Sequence, residues 1–288
     1  MSNWRIITIL LIVIALLGVT IVTMGQVSRA DVTRVVFLNV GQGDGILITR
    51  GARQILIDGG ANDKVLMEQL SRYMPFWDRT IDVMISTHPD SDHIGAQIGV
   101  FGAYHVPVVI ATNAFKKSST ATAWHSALAR ERSEVIVANA ATVVKLAQNN
   151  DEAGILRVVF PRTEELDVSG KEDANDTSVV ARLDVGETSF LFTGDMSSSK
   201  ESLIAQNDAD VDILKVGHHG SRFSTAEFFL DAVTPSQAVI SVGRDNRYGH
   251  PTQEVLRKLQ NRNIDILRTD QDGVIVYICR DGKCKLAR

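Results

Sequence analysis

The densest chemistry in the chain lies in Thr87-His88-Pro89-Asp90-Ser91-Asp92-His93-Ile94-Gly95, where two imidazoles and two carboxylates fall within six positions. Groups crowded in this way repel and desolvate one another unless a cation gathers them, so the spacing suits a metal pair. Two more places carry the same kinds of ligand. Asp195 ends Leu191-Phe192-Thr193-Gly194-Asp195, and His218 and His219 are adjacent in Lys215-Val216-Gly217-His218-His219-Gly220-Ser221. Each cluster follows an apolar run, at residues 81–86, 190–192 and 213–216. Such runs read as buried strands that deliver polar side chains at their ends.

The elements that must position these groups alternate briskly. Strands are expected at 35–40, 46–49, 54–57, 81–86, 106–111, 135–138 and 155–160, with helices over 63–74, near 94–101 and around 121–132. In the second half strands are expected at 178–184, 188–192, 211–216, 238–242, 264–267 and 274–279, with helices near 199–206, 225–232 and 252–261. Residues 149–154 read as a polar turn and 164–176 as an acidic surface loop. No repeat or long linker divides residues 31–288, so one α/β domain with two sheets is expected there.

The 288 residues are 44% hydrophobic and 22% charged, with 21 Gly and 6 Pro, which excludes a collagenous, disordered or low-complexity chain. Only residues 6–25 are apolar enough to span a bilayer: twenty residues without a charge, covering about 30 Å as a helix. Arg5 and the amino terminus lie on the near side, so the expected topology is a cytoplasmic tail with the remainder exported. Ser28-Arg29-Ala30 offers a cleavage site, which keeps a signal peptide as the rival of an uncleaved anchor within residues 1–30. Beyond residue 30 the net charge falls from −4 to −6, because Arg5 and Arg29 are lost with no acid. A domain of that charge lacks the basic field of a strong non-specific nucleic-acid binder. Asp281-Gly282 marks a two-residue hairpin that sets Cys279 opposite Cys284, within reach of a disulfide that export would favour; two reduced thiols are the alternative.

Further segments stand in order around the ligand clusters: Asn39-Val40-Gly41-Gln42-Gly43-Asp44, Ile55-Leu56-Ile57-Asp58-Gly59-Gly60, Asn175-Asp176-Thr177-Ser178 and Tyr248-Gly249-His250-Pro251. With them, residues 35–270 resemble the metallo-β-lactamase superfamily, in the branch represented by the extracellular domain of the competence protein ComEC. The wider superfamily has His where Asp90 stands. The resemblance implies a four-layer αββα sandwich with the site at one edge between the sheets, here preceded by an apolar N-terminal helix. It also implies two divalent ions. His88 and Asp90 would serve the first, Asp92 and His93 the second, and Asp195 would bridge them. One of His218 and His219 would complete the second ion, the other facing substrate or supporting a ligand. The third histidine of the first ion has no counterpart, His105 and His125 being bystanders without a motif. Asn175, Asp176 and Ser178 stand there instead, as ligands or supports, and Asp58 is expected to orient a ligand. So oxygen-rich a set suits Mn²⁺ or Mg²⁺ as well as Zn²⁺.

Such an ion pair lowers the pKa of a bridging water and clamps an in-line phosphoryl displacement without a Ser or Cys nucleophile. Asp92 or the bridging hydroxide would handle the proton. His250 would protonate the leaving oxygen or hold a phosphate, while Ser221, Arg222, Arg244 and Arg247 are candidate substrate contacts. The expected function is a membrane-anchored, extracytoplasmic phosphodiesterase, with DNA the substrate the resemblance implies. Alternatives are an esterase of small or cell-surface phosphodiesters of the phosphocholine type, a lactam or thioester hydrolase, and a binding protein that keeps the fold. Gly41-Gln42-Gly43-Asp44-Gly45 lacks the spacing and following helix of a dinucleotide loop, so no nucleotide cofactor is expected. Protein partners leave no signature in the sequence.

Overall fold

The computed structural model describes residues 4, 7–13, 32–114, 116–147, 153–162, 173–205 and 210–287. The polar turn expected at 149–154 and the acidic loop at 164–176 lie mostly outside these residues. So does the apolar stretch 6–25, of which residues 7–13 are described, as exposed helix. Among the described residues no helix is long and apolar enough to cross a membrane.

In chain order the strands are β1 (Thr33–Phe37), β2 (Gly45–Arg50), β3 (Arg53–Asp58), β4 (Val83–Ser86), β5 (Val108–Ala111), β6 (Glu134–Val137), β7 (Val143–Lys145) and β8 (Ile155–Phe160). They continue as β9 (Val180–Val185), β10 (Thr188–Phe192), β11 (Ile213–Lys215), β12 (Gln237–Ile240), β13 (Asp265–Arg268), β14 (Ile275–Arg280) and β15 (Lys283–Leu286). One sheet has the order β15-β14-β1-β2-β3-β4-β5-β6 and the other β13-β12-β11-β10-β9-β8-β7. The strand period of two sorts the core. Val35 and Phe37 of β1 point between the sheets with Ile46, Ile48, Phe190 and Phe192, while Val36 and the following Leu38 join the helix-side cluster of Leu66, Leu70 and Val100. A third cluster packs Leu191 and Leu214 against Phe229, Leu230, Val255 and Leu259 of the opposite helices. Two sheets face to face, with helices on both outer faces, follow from that sorting. Each large apolar side chain so buried contributes about 1.5–3 kcal/mol.

The helices start where local chemistry provides a cap. Asn62 accepts the N–H groups of Lys64 and Val65 ahead of the helix Asp63–Tyr73, Ser118 accepts that of Ala121 ahead of Ser119–Glu131, and Thr252 that of Val255 ahead of Gln253–Gln260. The helix expected near 94–101 is two, Ser91–Ile94 and Gln97–Ala103. β1 ends at Phe37 rather than residue 40, because the chain turns there towards the ligand cluster. Cys279 and Cys284 are disulfide-bonded across the hairpin, and Arg280 pairs with Lys283.

Strands β3, β4 and β5 run parallel, as do β10, β11 and β12. Their carboxyl ends open on one edge of the sandwich, where open α/β sheets gather ligands. Asp58, Thr87-His88, Asp195, His218-His219 and Ser241 all lie at the ends of these strands or just past them.

Candidate metal centre

From the first sheet, β3 delivers Asp58 in a left-handed conformation (φ 55°), fully buried. A carboxylate in that backbone region is uncommon and is held by its contacts. Its Oδ1 accepts the Thr87 N–H at 2.9 Å, and Oδ2 accepts the Thr87 hydroxyl at 2.7 Å. The same Oδ2 lies 2.8 Å from His93 Nδ1, so that nitrogen carries a proton. Because the Thr87 hydroxyl is donated to Asp58, its lone pair accepts from His88 Nδ1 at 3.0 Å. The loop after β1 presses onto this arrangement at Gly43, where a Cβ would lie 2.0 Å from the Asp92 carbonyl oxygen. That close approach brings in Asp44, 1% exposed, whose N–H donates to the Asp92 carbonyl at 3.3 Å.

The second sheet supplies the other half. The Asp195 N–H donates to Ser178 Oγ at 3.1 Å, and the same oxygen lies 3.4 Å from His88 Nδ1. Lys215, the last residue of β11, is fully buried. Its ammonium donates to the Gly194 carbonyl at 2.9 Å, pairs with Asp44, and lies 3.8 Å from Asp195 Oδ1. After β11 both histidines take left-handed conformations, with φ of 48° at His218 and 53° at His219. This turns the two rings apart, 79° between their planes. His219 points inward and its Nδ1–H donates to the Ser241 carbonyl at 2.9 Å.

The result is a convergence of lone pairs. Nε2 of His88, His93 and His219 are each buried without a hydrogen-bond partner, as is Asp195 Oδ1. Asp195 Oδ2 lies 3.3 Å from His93 Nε2 and 3.4 Å from His219 Nε2, and Asp92 Oδ2 lies 3.5 Å from His219 Nε2. One ligand atom from each of His88, His93 and Asp195 lies within 4.8 Å of the others, and the same holds for Asp92, His93 and His219. Buried acceptors facing acceptors are costly unless something positive sits between them. The donor set, with each Nδ1 committed to an oxygen and each Nε2 left free, fits divalent metal ions.

Without a cation between these groups, protons take its place. Burial alone would depress His93 and His219, but the Asp195 carboxylate beside both, with Asp58 at His93, holds them well above the ordinary imidazole value. Burial, and then the neighbouring His93, push His88 well down. Burial would raise Asp92 and Asp195, yet their histidine partners keep both carboxylates low.

The remaining candidates divide clearly. Asp90 is turned onto Lys116, Oδ1 to Nζ 2.5 Å, and is not among the converging atoms. Asp176 accepts from the Ser197 and Ser199 hydroxyls, and Asn175 lies on the same short turn, Ala174–Thr177. His218 is partly exposed, its Nε2 3.8 Å from Asp195 Oδ2, and its ring faces that of His250 at 5.8 Å. His250 stacks on Tyr248 at 5.9 Å, and burial followed by the charges of His218 and His219 lowers its pKa. Arg247 and Arg222 lie over the rings of Tyr248 and Phe223, and Arg244 bonds the Asp270 carbonyl. Ser221 is buried, its hydroxyl accepting the Phe223 N–H at 3.3 Å. His105 pairs with Glu131, and His125 packs against Trp124. Asp44 and Lys215 were not anticipated from the sequence. A lone lysine closing an apolar run was the available signal for the second.

Residues 38–244 match the family model of the metallo-beta-lactamase superfamily. The chain is 30% identical over 203 residues to ComE operon protein 3 of Bacillus subtilis, covering 69% of this chain and 25% of that protein. It is 28% identical over 266 residues to recombination protein 2 of Haemophilus influenzae, covering 91% of this chain and 31% of that one. The chain thus spans a quarter to a third of these relatives' length. Among solved structures it resembles the metallo-beta-lactamase fold protein YhfI of Bacillus subtilis, with a TM-score of 0.53 at 13% identity over 88% of this chain and 100% of that one. This last likeness speaks for the fold alone. A two-sheet sandwich with converging imidazoles and carboxylates at one edge, matched by the family model along most of its length, places this chain in the metallo-beta-lactamase superfamily of metal-dependent hydrolases.

Proposed function

We propose that the chain is a phosphodiesterase that cuts DNA outside the cytoplasm, with residues 31–288 as its hydrolase domain and residues 6–25 as its membrane anchor. The observation that carries the chemistry is the set of three unpartnered, buried Nε2 atoms around Asp195. His93, His219 and Asp92 would hold one divalent ion, His88 the other, and Asp195 would serve both. Bound there, such ions supply Lewis acidity and activate water. The chain's own groups do the rest. Asp58 and the Ser241 carbonyl fix the imidazole tautomers, and Lys215 offsets the charge of Asp44 beneath the ligands. His218 and His250 flank the opening. With its pKa lowered, His250 suits a neutral hydrogen bond to a phosphate oxygen better than proton delivery. The choice of DNA rests on a relative named for recombination.

A second reading, cleavage of small or cell-surface phosphodiesters, is favoured by the net charge of −6 beyond residue 30, which repels a long polyanion. One experiment separates them. The full chain in detergent is stripped of metal, reloaded with Mn²⁺, Zn²⁺ or Mg²⁺, and assayed on bis-p-nitrophenyl phosphate and single-stranded DNA. Cleavage of both with one ion is expected. Cleavage of the small ester alone transfers the assignment to the second reading, and silence on both contradicts each.

A further inference from the structure

We propose that the edge of the sandwich opposite the metal centre rests on the lipid bilayer, with Phe76 and Trp77 inserted among the headgroups, so that the centre faces away from the membrane. The proposal rests on the reading of residues 6–25 as an anchor.

Topology defines the edge. The metal centre lies past the ends of β3 and β4 and at the start of β2, so the β2–β3 turn and the loop leading into β4 lie at the other end. β1 begins at that far end, Thr33 pairing with Arg50 and, across the sheet, with Cys279. The segment 74–82 is tied there, because Gln54 donates its N–H to Asp82 Oδ2 and its side-chain Nε2 to Asp78 Oδ2, both at 2.8 Å. On this loop Phe76 is 80% exposed and Trp77 51%, their rings edge to face at 4.8 Å. Two large aromatic side chains projecting together from a loop tip leave apolar surface in water with no packing return. Trp in particular favours the bilayer interface, where its ring is apolar and its N–H stays wet. Arg34 and Arg72, the latter paired with Glu68, line the same groove as Phe76, Trp77 and Val32.

Tether length makes the orientation compulsory. Six residues, 26–31, separate the apolar stretch from Val32. Even fully extended they reach only about 20 Å. A folded unit of this size has a radius of gyration of about 18 Å, so so short a tether cannot let the far edge turn over to meet the membrane. Val32 and the aromatic pair share an edge, and that edge is the one held down.

The test uses the full chain, as Trp4→Phe, reconstituted into phosphatidylethanolamine–phosphatidylglycerol vesicles with or without bromine on the acyl chains. Trp124 is 5% exposed in the core and out of the quencher's reach, so Trp77 alone can report lipid contact. Flotation with the vesicles checks the anchor separately. The expected result is flotation together with a loss of Trp77 emission in brominated vesicles. That loss shrinks in the Phe76→Ser variant, which keeps the Trp77 reporter, still floats and keeps the phosphodiesterase activity of its parent. Flotation without quenching overturns the docking and spares the anchor; failure to float overturns both. A Trp77 shielded from bromine and from aqueous acrylamide alike would place a second copy of the chain on this edge and likewise overturn the proposal.

Discussion

The two sides of the metal centre are built to different standards. On one side His93 and His219 are each fixed by a strong acceptor, the Asp58 carboxylate at 2.8 Å and the Ser241 carbonyl at 2.9 Å, and Asp92 closes the group. On the other, His88 leans on hydroxyls alone, Thr87 at 3.0 Å and Ser178 at 3.4 Å, and Asp90 is engaged by Lys116. Ligands locked by charged or carbonyl partners are both more basic and better oriented. The first side should therefore bind its ion tightly and the second loosely, with Asp195 common to the two.

Substitutions separate the sides in order of effect. Asp195→Ala removes the shared carboxylate and should lower phosphodiester turnover by about 10³-fold or more, since an ion's charge stabilisation is worth several kcal/mol. Metal analysis should show both ions lost, whereas Asp92→Ala should cost the His219 side alone. Retention of two ions in the first variant would show that Asp195 is not shared. Lys215→Met leaves the buried Asp44 without its ammonium partner, with only the His219 and His93 imidazoles at 3.5 and 3.9 Å, and should destabilise the fold by about 3–5 kcal/mol in urea titration. Adding Asp44→Asn should restore much of that loss, because the cost lies in the orphaned charge. Asp58→Asn should weaken ion binding about 10–100-fold on the His93 side, which it touches directly, and less on the His88 side, which it reaches only through the Thr87 hydroxyl.

Proton linkage sharpens the same contrast. His93 and His219 are raised above 6.5 in the folded, metal-free chain, so their contribution to stability is complete below that value and declines as pH rises through the raised values. The urea midpoint of the metal-free chain should fall over that range while metal affinity climbs, because binding must displace those protons. His88 is lowered and already neutral there, so the other ion should show little such dependence. Calorimetry in buffers of different ionisation enthalpy counts the protons released at each step. The smallest effect belongs to Lys116→Ala, which removes a partly exposed ion pair and should change stability by less than about 1 kcal/mol. By freeing Asp90 it should tighten the weaker ion a few-fold, and a loss of affinity would show that Lys116 supports that side.

Much of this centre was legible from sequence for one physical reason. Its imidazoles and carboxylates follow apolar strands, and a buried strand that ends in ligands announces both itself and them. His88, His93, Asp195 and the His218-His219 pair stand out as candidates in that way, and the register of the Cys279–Cys284 hairpin follows from its Asp-Gly turn. The choice between His218 and His219 was not legible, since it depends on two successive left-handed residues that no periodicity reports. Asp44 and Lys215 were missed because their meaning lies in a contact between the two sheets, made by residues far apart in the chain. Asp90 carries the right chemistry for a ligand, and its contact with Lys116 is likewise invisible to local spacing. β7, three residues long, and the one-turn helix Thr269–Asp272 are too short to leave a pattern.

Anomalous diffraction from crystals of the chain loaded with Mn²⁺ would locate the ions. Two peaks about 3.5–4 Å apart are expected, the stronger among Asp92, His93 and His219, the weaker beside His88, with Asp195 between them. A single ion held away from Asp195, or none within reach of the three Nε2 atoms, would contradict that arrangement.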